Sequence, residues 1–242
     1  MATLEHIVTS YAQELVALQD RVIQMGGMVE SQVAAAAAAV LHQDTDAANR
    51  AVAQDASVDA LERDIDQMVI RMIALRQPMA QDLRRIVAAL KMTGDLERIG
   101  DYASNVAKRS IVLSQFRLPF SLTGLAAMSR LVQENLKLVI DAIGENDANK
   151  ALKAWKADEA IDDLYNSIFR ELITYMMEDA RSITPCTHLL FIAKNLERIG
   201  DHATNIAETT YYAVTGEQLT EERPKGDASA YAVVRVPGEQ GI

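Results

Sequence analysis

The chain repeats one segment at two places 100 residues apart, and this repeat constrains its fold more than any other feature. Residues 95–108 read DLERIGDYASNVAK and residues 195–208 read NLERIGDHATNIAE, with nine of the fourteen positions identical. A match of this length does not arise by chance, so the chain is an internal duplication. Its two halves are therefore expected to fold alike.

The composition predicts that both halves are helical. Aromatic residues make up only 5% of the chain, and its 11 Gly and 5 Pro leave long stretches in which good helix formers dominate. Apolar residues recur at spacings of three and four, which is the period of an amphipathic helix. Six helical segments are predicted, three in each half, at residues 4–42, 47–76, 78–113, 122–143, 148–177 and 185–214.

Short connections between these segments predict antiparallel neighbouring helices. The expected fold is all-α, with two tandem three-helix bundles related by an internal pseudo-two-fold duplication. At 242 residues the chain is long enough to bury a substantial core. The predicted boundaries are 1–115 for the first bundle and 116–216 for the second. Residues 217–242, where Pro and Gly become frequent, are predicted to form a mobile C-terminal tail.

Charge and targeting signals limit where such a chain can act. Its formal net charge of −10 argues against a nucleic-acid partner, which would need a basic face. The single cysteine, Cys186, suits a reducing compartment. The first residues lack the basic start and apolar core of a signal peptide, and no run of about eighteen apolar residues is present. We therefore expect a cytoplasmic protein that does not insert into a membrane.

Each half carries acidic residues spaced four apart on two successive helices. The second predicted helix contains Glu62 and Asp66, which are matched to Asp158 and Asp162 in the fifth by allowing a four-residue difference in the intervening turn. The two LERIGD segments supply the other pairs. The predicted site residues are Glu62, Asp66, Glu97, Asp101, Asp158, Asp162, Glu197 and Asp201.

Acids in this arrangement are expected to bind cations. Residues four apart on a helix have Cβ atoms about 6 Å apart, and like charges there destabilise the helix by about 0.2–0.5 kcal/mol per pair. Carboxylates without thiolate or suitably spaced imidazole are hard ligands that suit Mg, Ca, Mn or iron. The helical angles predict an accessible groove at the bundle surface instead of a sealed internal site. The alternative is a solvated acidic face that keeps the protein soluble.

Other residues of the repeated motif have less specific predictions. Gly100 and Gly200 occupy matching places between two acids, where a close helix approach, room for a ligand or a kink would each explain a glycine. A helix salt bridge between Arg98 and Asp95 is favoured over a role for the arginine in binding a partner. His202 does not stand at ligand spacing from the acids, so it is not predicted to bind metal.

The LERIGD pair resembles the motif of the PhoU family of phosphate-uptake and phosphate-signalling regulators. The segments MGGM (25–28), RQP (76–78) and LITYMMED (172–179) add to the resemblance, which covers residues 5–215. It implies two PhoU repeats whose E/D-x-x-x-D motifs hold surface multinuclear metal sites. Iron or zinc is reported in the family, and magnesium or manganese in some members. All eight acids match this motif, with Asp158 as the Asp variant.

The resemblance also implies a function. Family members act in the bacterial cytoplasm, commonly as dimers, between the ATP-binding subunit of the phosphate-specific ABC transporter and a phosphate-sensing histidine kinase. When phosphate is plentiful they hold the kinase in its non-activating state, and they restrain phosphate uptake. The chain is accordingly predicted to be a non-enzymatic, homodimeric negative regulator of phosphate homeostasis.

Two other classes of protein remain as alternatives. A di-iron or di-manganese carboxylate enzyme in a helical bundle would use Glu-x-x-His motifs that project inward, and this chain contains none. It also lacks a Gly-rich phosphate loop. A purely structural helical scaffold without metal is the other alternative, and it predicts that chelators leave thermal stability unchanged.

Overall fold

The computed structural model describes residues 2–118 and 121–220, with side chains from residue 10 onward. Seven α-helices and one 3₁₀ turn make up this part of the chain, and it contains no strand. The elements are α1 (Ala2–His42), α2 (Thr45–Arg76), α3 (Ala80–Leu113), α4 (Thr123–Glu145), α5 (Ala148–Lys156), α6 (Asp158–Glu178), the 3₁₀ turn (Ala180–Ser182) and α7 (Ile183–Thr215). The predicted all-α fold is confirmed, with α1–α3 forming the first bundle and α4–α7 the second.

The helices of the first bundle begin and end where local chemistry predicts. The Asp44 carboxylate accepts a hydrogen bond from the backbone N–H of Ala47 at 2.9 Å, which caps α2. Gln77 ends the same helix in the left-handed region, with φ of 47°. Along α2 the buried residues follow the apolar period and fill the centre of the bundle: Val58, Leu61, Ile65, Val69 and Met72.

The fifth predicted helix, over residues 148–177, is wrong as a single element. The structure ends α5 at Lys156 and begins α6 at Asp158. Between them the Ala157 N–H bonds to the carbonyl of Ala154 at 3.1 Å, an i−3 bond that tightens the chain by one short turn. This break accompanies the burial of Trp155, whose indole N–H donates to Glu208 on α7 at 2.8 Å.

The two bundles share one central interface. The duplicated helices α3 and α7 lie against each other, and α1 also contacts both α3 and α4. The helix α1 runs unbroken past Gly26. Gly26 allows a close approach of α1 to α4, because a Cβ there would lie 3.0 Å from an Ile140 side-chain carbon.

The boundary between the bundles falls in the connection from α3 to α4, residues 114–122, of which 119–120 are outside the described residues. The predicted mobile tail lies largely beyond residue 220 and outside them too. None of the described helices is both long enough and apolar enough to cross a bilayer.

Candidate acidic sites

The structure brings the predicted acids of the first bundle onto one surface shared by α2 and α3. Glu62, Asp66 and Glu97 are half-buried there, and Asp101 lies at the exposed rim. Burial raises the pKa of Glu97, and the nearby carboxylates of Asp101 and Glu62 raise it further. Glu97 on α3 therefore lies near enough to Glu62 on α2 for its ionisation to respond to that charge.

Two further acids belong to this surface that sequence reasoning missed. Partial desolvation raises the pKa of Asp101, and Asp55 and Asp59 are the next largest causes. Burial also raises the pKa of Glu62, followed by the charges of Asp66 and Asp59. The signal was present in the sequence, because α2 carries acids at 55, 59, 62 and 66, spaced to lie on one helix face. We name these residues the first acidic cluster: Asp55, Asp59, Glu62, Asp66, Glu97 and Asp101.

A buried glutamine on α1 donates a hydrogen bond to one member of the first acidic cluster. The Gln32 side chain is fully buried, and its Nε2 donates to the Asp55 carboxylate at 3.2 Å and to the Ala51 carbonyl at 3.0 Å. Its Oε1 is buried without a hydrogen-bond partner. This oxygen lies 3.1 Å from the position a Cβ would take on Gly100. Gly100 therefore permits a close approach of α1 to α3, the first of its three predicted explanations.

The first acidic cluster contains no compensating ion pair. None of its six carboxylates lies within 4.0 Å of a cationic side chain in the described part of the protein. Its carboxylates also stand apart, since no three His, Cys, Asp or Glu side chains among the described residues are close enough to hold a metal ion. Mutual repulsion is sufficient to keep uncompensated carboxylates apart in this way.

The acids of the second bundle are placed differently. Asp158, Asp162 and Glu197 are only 2%, 3% and 4% exposed, whereas Asp201 is half-buried. The prediction of an accessible groove is therefore wrong in this bundle. Asp158 begins α6 directly against α7, where a Cβ on Gly200 would lie 3.5 Å from its carboxylate oxygen. We name Asp158, Asp162, Glu197 and Asp201 the second acidic cluster.

A lysine lies within the second acidic cluster. The Lys194 ammonium is 2.7 Å from Glu197 Oε1, one turn away on α7. The same ammonium lies 4.9 Å from the centre of the Tyr165 ring on α6, within the range of a cation–π interaction. Glu197 is thus a buried carboxylate with a charge partner, which is the condition under which proteins tolerate buried charges.

The glycine contacts establish how the two bundles correspond. A Cβ on Gly100 would lie 3.5 Å from Val58, and a Cβ on Gly200 would lie 3.5 Å from Asp158 and 3.1 Å from Ile161. Val58 and Asp158 differ by 100 positions, the same as the two glycines. Residues 49–51 (NRA) and 149–151 (NKA) agree with this offset.

The second and fifth predicted helices therefore correspond at an offset of 100 residues. The predicted match of Glu62 with Asp158 would require an offset of 96. Asp162, not Asp158, is then the counterpart of Glu62, and Asn166 stands where the first bundle has Asp66. The predicted four-residue difference is therefore wrong. It arose because acids spaced four apart can be aligned equally well one helical turn out of register.

Polar contacts across the α3–α7 interface join the two bundles. His202 Nδ1 lies 2.7 Å from Asp95 Oδ1, and Asn205 Nδ2 donates to the same oxygen at 3.4 Å. The His202 ring also packs against Tyr102, with the ring centres 5.6 Å apart. Asp95 therefore pairs across the interface, and the predicted salt bridge with Arg98 is wrong. Sequence spacing gives no sign of a contact between residues 107 positions apart.

Fold and surface together define a class of protein: a duplicated helical bundle that presents acidic faces on paired helices. The PhoU domain family model matches residues 22–110 and 125–210, one match in each bundle. The chain belongs to the PhoU family.

Similar proteins carry names that refer to phosphate transport. The phosphate-specific transport system accessory protein PhoU homolog of Caulobacter vibrioides is 52% identical over 224 residues, covering 92% of this chain and 97% of that protein. The crystal structure of PhoU from Pseudomonas aeruginosa is 39% identical with a TM-score of 0.83, covering 86% of this chain and all of that one. The phosphate transport system regulatory protein PhoU from Streptococcus pneumoniae is 28% identical with a TM-score of 0.80, covering 87% and 100%.

Proposed function

We propose that this chain is a cytoplasmic accessory protein that regulates phosphate transport and represses the phosphate-starvation response. The observation that carries the proposal is membership of the PhoU family, with both repeats present and relatives named as accessory or regulatory proteins of phosphate transport. The protein has no catalytic role in this proposal. Its function is to recognise partners.

The partners proposed are the ATP-binding subunit of the phosphate ABC transporter and a phosphate-sensing histidine kinase. At high phosphate the chain would hold the kinase in its non-activating state and restrain uptake. A homodimer is the proposed assembly, and neither nucleic acid nor direct membrane insertion is part of it. The net charge of −10 supports the exclusion of nucleic acid.

Metal binding is the second part of the proposal. The first acidic cluster supports it because its six carboxylates form no ion pair with the described residues, and because Gln32 holds one of them by a hydrogen bond. Hydrogen bonds of this kind, from a buried side chain to a carboxylate, orient metal ligands in other proteins. A hard cation such as magnesium or manganese, or an iron or zinc ion, would neutralise the repulsion and fix α2 against α3.

The regulatory part is tested in a strain from which the gene is deleted and which carries a reporter of a phosphate-starvation promoter. At high phosphate the reporter should be active in the deletion strain and silent when the wild-type gene is restored. Pull-down of the tagged protein should recover the transporter subunit and the kinase. A silent reporter in the deletion strain contradicts the regulatory function.

The metal part is tested separately, with purified protein and element analysis by mass spectrometry. Glu62→Gln combined with Glu97→Gln should reduce bound metal, whereas Glu134→Gln should not. Glu134 is the matched control because it is an exposed acid on α4, outside both clusters. Equal metal content in all three proteins rejects this part of the proposal.

A further inference from the structure

The duplicated helices α3 and α7 differ in charge at one position that borders both acidic clusters. Three residues before Glu97 the first bundle has Gly94, and three residues before Glu197 the second bundle has Lys194. A Cβ built on Gly94 meets no atom within 4 Å, so the space beside the first acidic cluster is open. In the second acidic cluster the same place is filled by the lysine stem and its ammonium.

Lys194 is held in place by two independent contacts. Its Nζ is 2.7 Å from Glu197 Oε1 and 4.9 Å from the centre of the Tyr165 ring. Two-thirds of the Lys194 side chain is removed from solvent, and the Glu197 side chain is only 5% exposed. The carboxylate of this ion pair is almost completely shielded from solvent, which strengthens its attraction to the ammonium.

Two more differences between the bundles lower the negative charge around the second acidic cluster. With the offset of 100, Asn166 replaces Asp66, and Trp155 replaces Asp55. The second bundle gains Asp158 in exchange, where the first has Val58. Counting Asp158, the second bundle has five acids at the corresponding positions, because the exposed Glu159 stands in place of Asp59. The two bundles therefore differ mainly in compensation: among the described residues the first acidic cluster has no ion pair, whereas the second contains an internal ammonium.

A metal ion and the Lys194 ammonium would compete for the same oxygen atoms. A divalent ion bound to a carboxylate lies about 2.0–2.6 Å from its oxygen. An ion at Glu197 would therefore stand within a few ångströms of the ammonium, in an interface from which water is largely excluded. Repulsion between the two cations is strong there because the local dielectric is low.

We infer that the two repeats have divided this role: the first acidic cluster binds the metal, and the second, in which Lys194 occupies the buried Glu197 carboxylate, binds none. This inference rests on the metal binding proposed above and limits it to one repeat. The packing of α6 on α7 is then independent of metal, and only the packing of α2 on α3 responds to it.

The test measures Mn²⁺ binding to the full-length protein, freed of metal by chelation, by equilibrium dialysis and electron paramagnetic resonance. Glu62→Gln with Glu97→Gln should weaken Mn²⁺ binding at least about tenfold. Asp162→Asn with Glu197→Gln should leave both the affinity and the number of bound ions unchanged. Loss of bound Mn²⁺ in the second double variant overturns the inference.

Exchange of the two residues provides a more direct test. Lys194→Met removes the ammonium and should create additional Mn²⁺ binding in the second bundle. Gly94→Lys introduces an ammonium three residues before Glu97 and should weaken Mn²⁺ binding to the first acidic cluster at least about tenfold. It should also raise the melting temperature of the metal-free protein, so the test remains informative if Lys194→Met does not fold.

Gly27→Lys is the matched control for the glycine exchange. Gly27 is an exposed helical glycine with no atom within 4 Å of a built Cβ, so the same charge and helix propensity are added elsewhere. It should leave Mn²⁺ binding unchanged. Equal weakening by Gly27→Lys and Gly94→Lys overturns the inference. If the wild-type protein binds Mn²⁺ equally in both clusters, the inference is overturned but the proposed metal binding stands. If the wild-type protein binds no metal, the inference and the proposed metal binding are both overturned.

Discussion

Replacing Gly100 with alanine should destabilise the protein, although the same substitution usually stabilises a helix. Alanine in a helix interior is favoured over glycine by about 0.5–1 kcal/mol. At Gly100 the new methyl group would lie 3.1 Å from Gln32 Oε1, so the glutamine must move by a few tenths of an ångström. Gln32 is fully buried and held through Nε2 by Ala51 and Asp55, so it cannot move without stretching those bonds.

The expected size of this effect follows from the two opposing terms. Overpacking a close contact costs about 1–3 kcal/mol, which exceeds the gain in helix propensity. We expect Gly100→Ala to lower the free energy of unfolding by about 1 kcal/mol. Gly94→Ala, on the same helix with open space around it, should raise it by about 0.5–1 kcal/mol.

Thermal unfolding of the two variants, followed by circular dichroism with chelator present, measures the difference. For a chain of this size 1 kcal/mol corresponds to about 2–4 °C, so a difference of about 1.5–2 kcal/mol should separate the melting temperatures by about 3–8 °C. Gly100→Ala also displaces the amide that holds Asp55, so metal binding should weaken with stability. If Gly100→Ala is as stable as Gly94→Ala, the close approach of α1 to α3 is not what requires glycine.

Three further predictions concern other contacts. Trp155→Phe keeps a buried ring but removes the N–H that donates to Glu208, and should lower the free energy of unfolding in urea by about 1.5 kcal/mol. The same substitution in a Glu208→Gln background should lower it by less. Because burial and then neighbouring acids raise the pKa of Glu97 in the folded protein, the contribution of Glu97 to metal-free stability should be most favourable below its ordinary range of about pH 4. That contribution should fall as pH rises through the raised pKa. Glu97→Gln should flatten that fall, and an unchanged pH profile would contradict this assignment. His202→Ala leaves Asp95 with the 3.4 Å hydrogen bond from Asn205 across the interface, and should lower the free energy of unfolding by about 1 kcal/mol. Adding Asp95→Ala to this variant should lower it little further.

Much of the fold follows from local features of the sequence. The apolar period, the aspartate caps and the repeated LERIGD segment predict the helices, their order and the duplication, because each of these depends on residues within a few positions. The first acidic cluster was also predictable in outline, since acids four apart must share a helix face. Even Asp59 could have been included from its spacing to Glu62.

The tertiary structure decided the properties that distinguish the two halves. The break at Ala157, the burial of Asp158 and the register of α6 on α7 depend on how a helix packs against its neighbours, which the helical period does not specify. The pairing of Lys194 with Glu197 is local in sequence, but the burial that strengthens it is not. The physical reason is that sequence spacing determines which side chains share a face, while the effect of a charge depends on what covers that face.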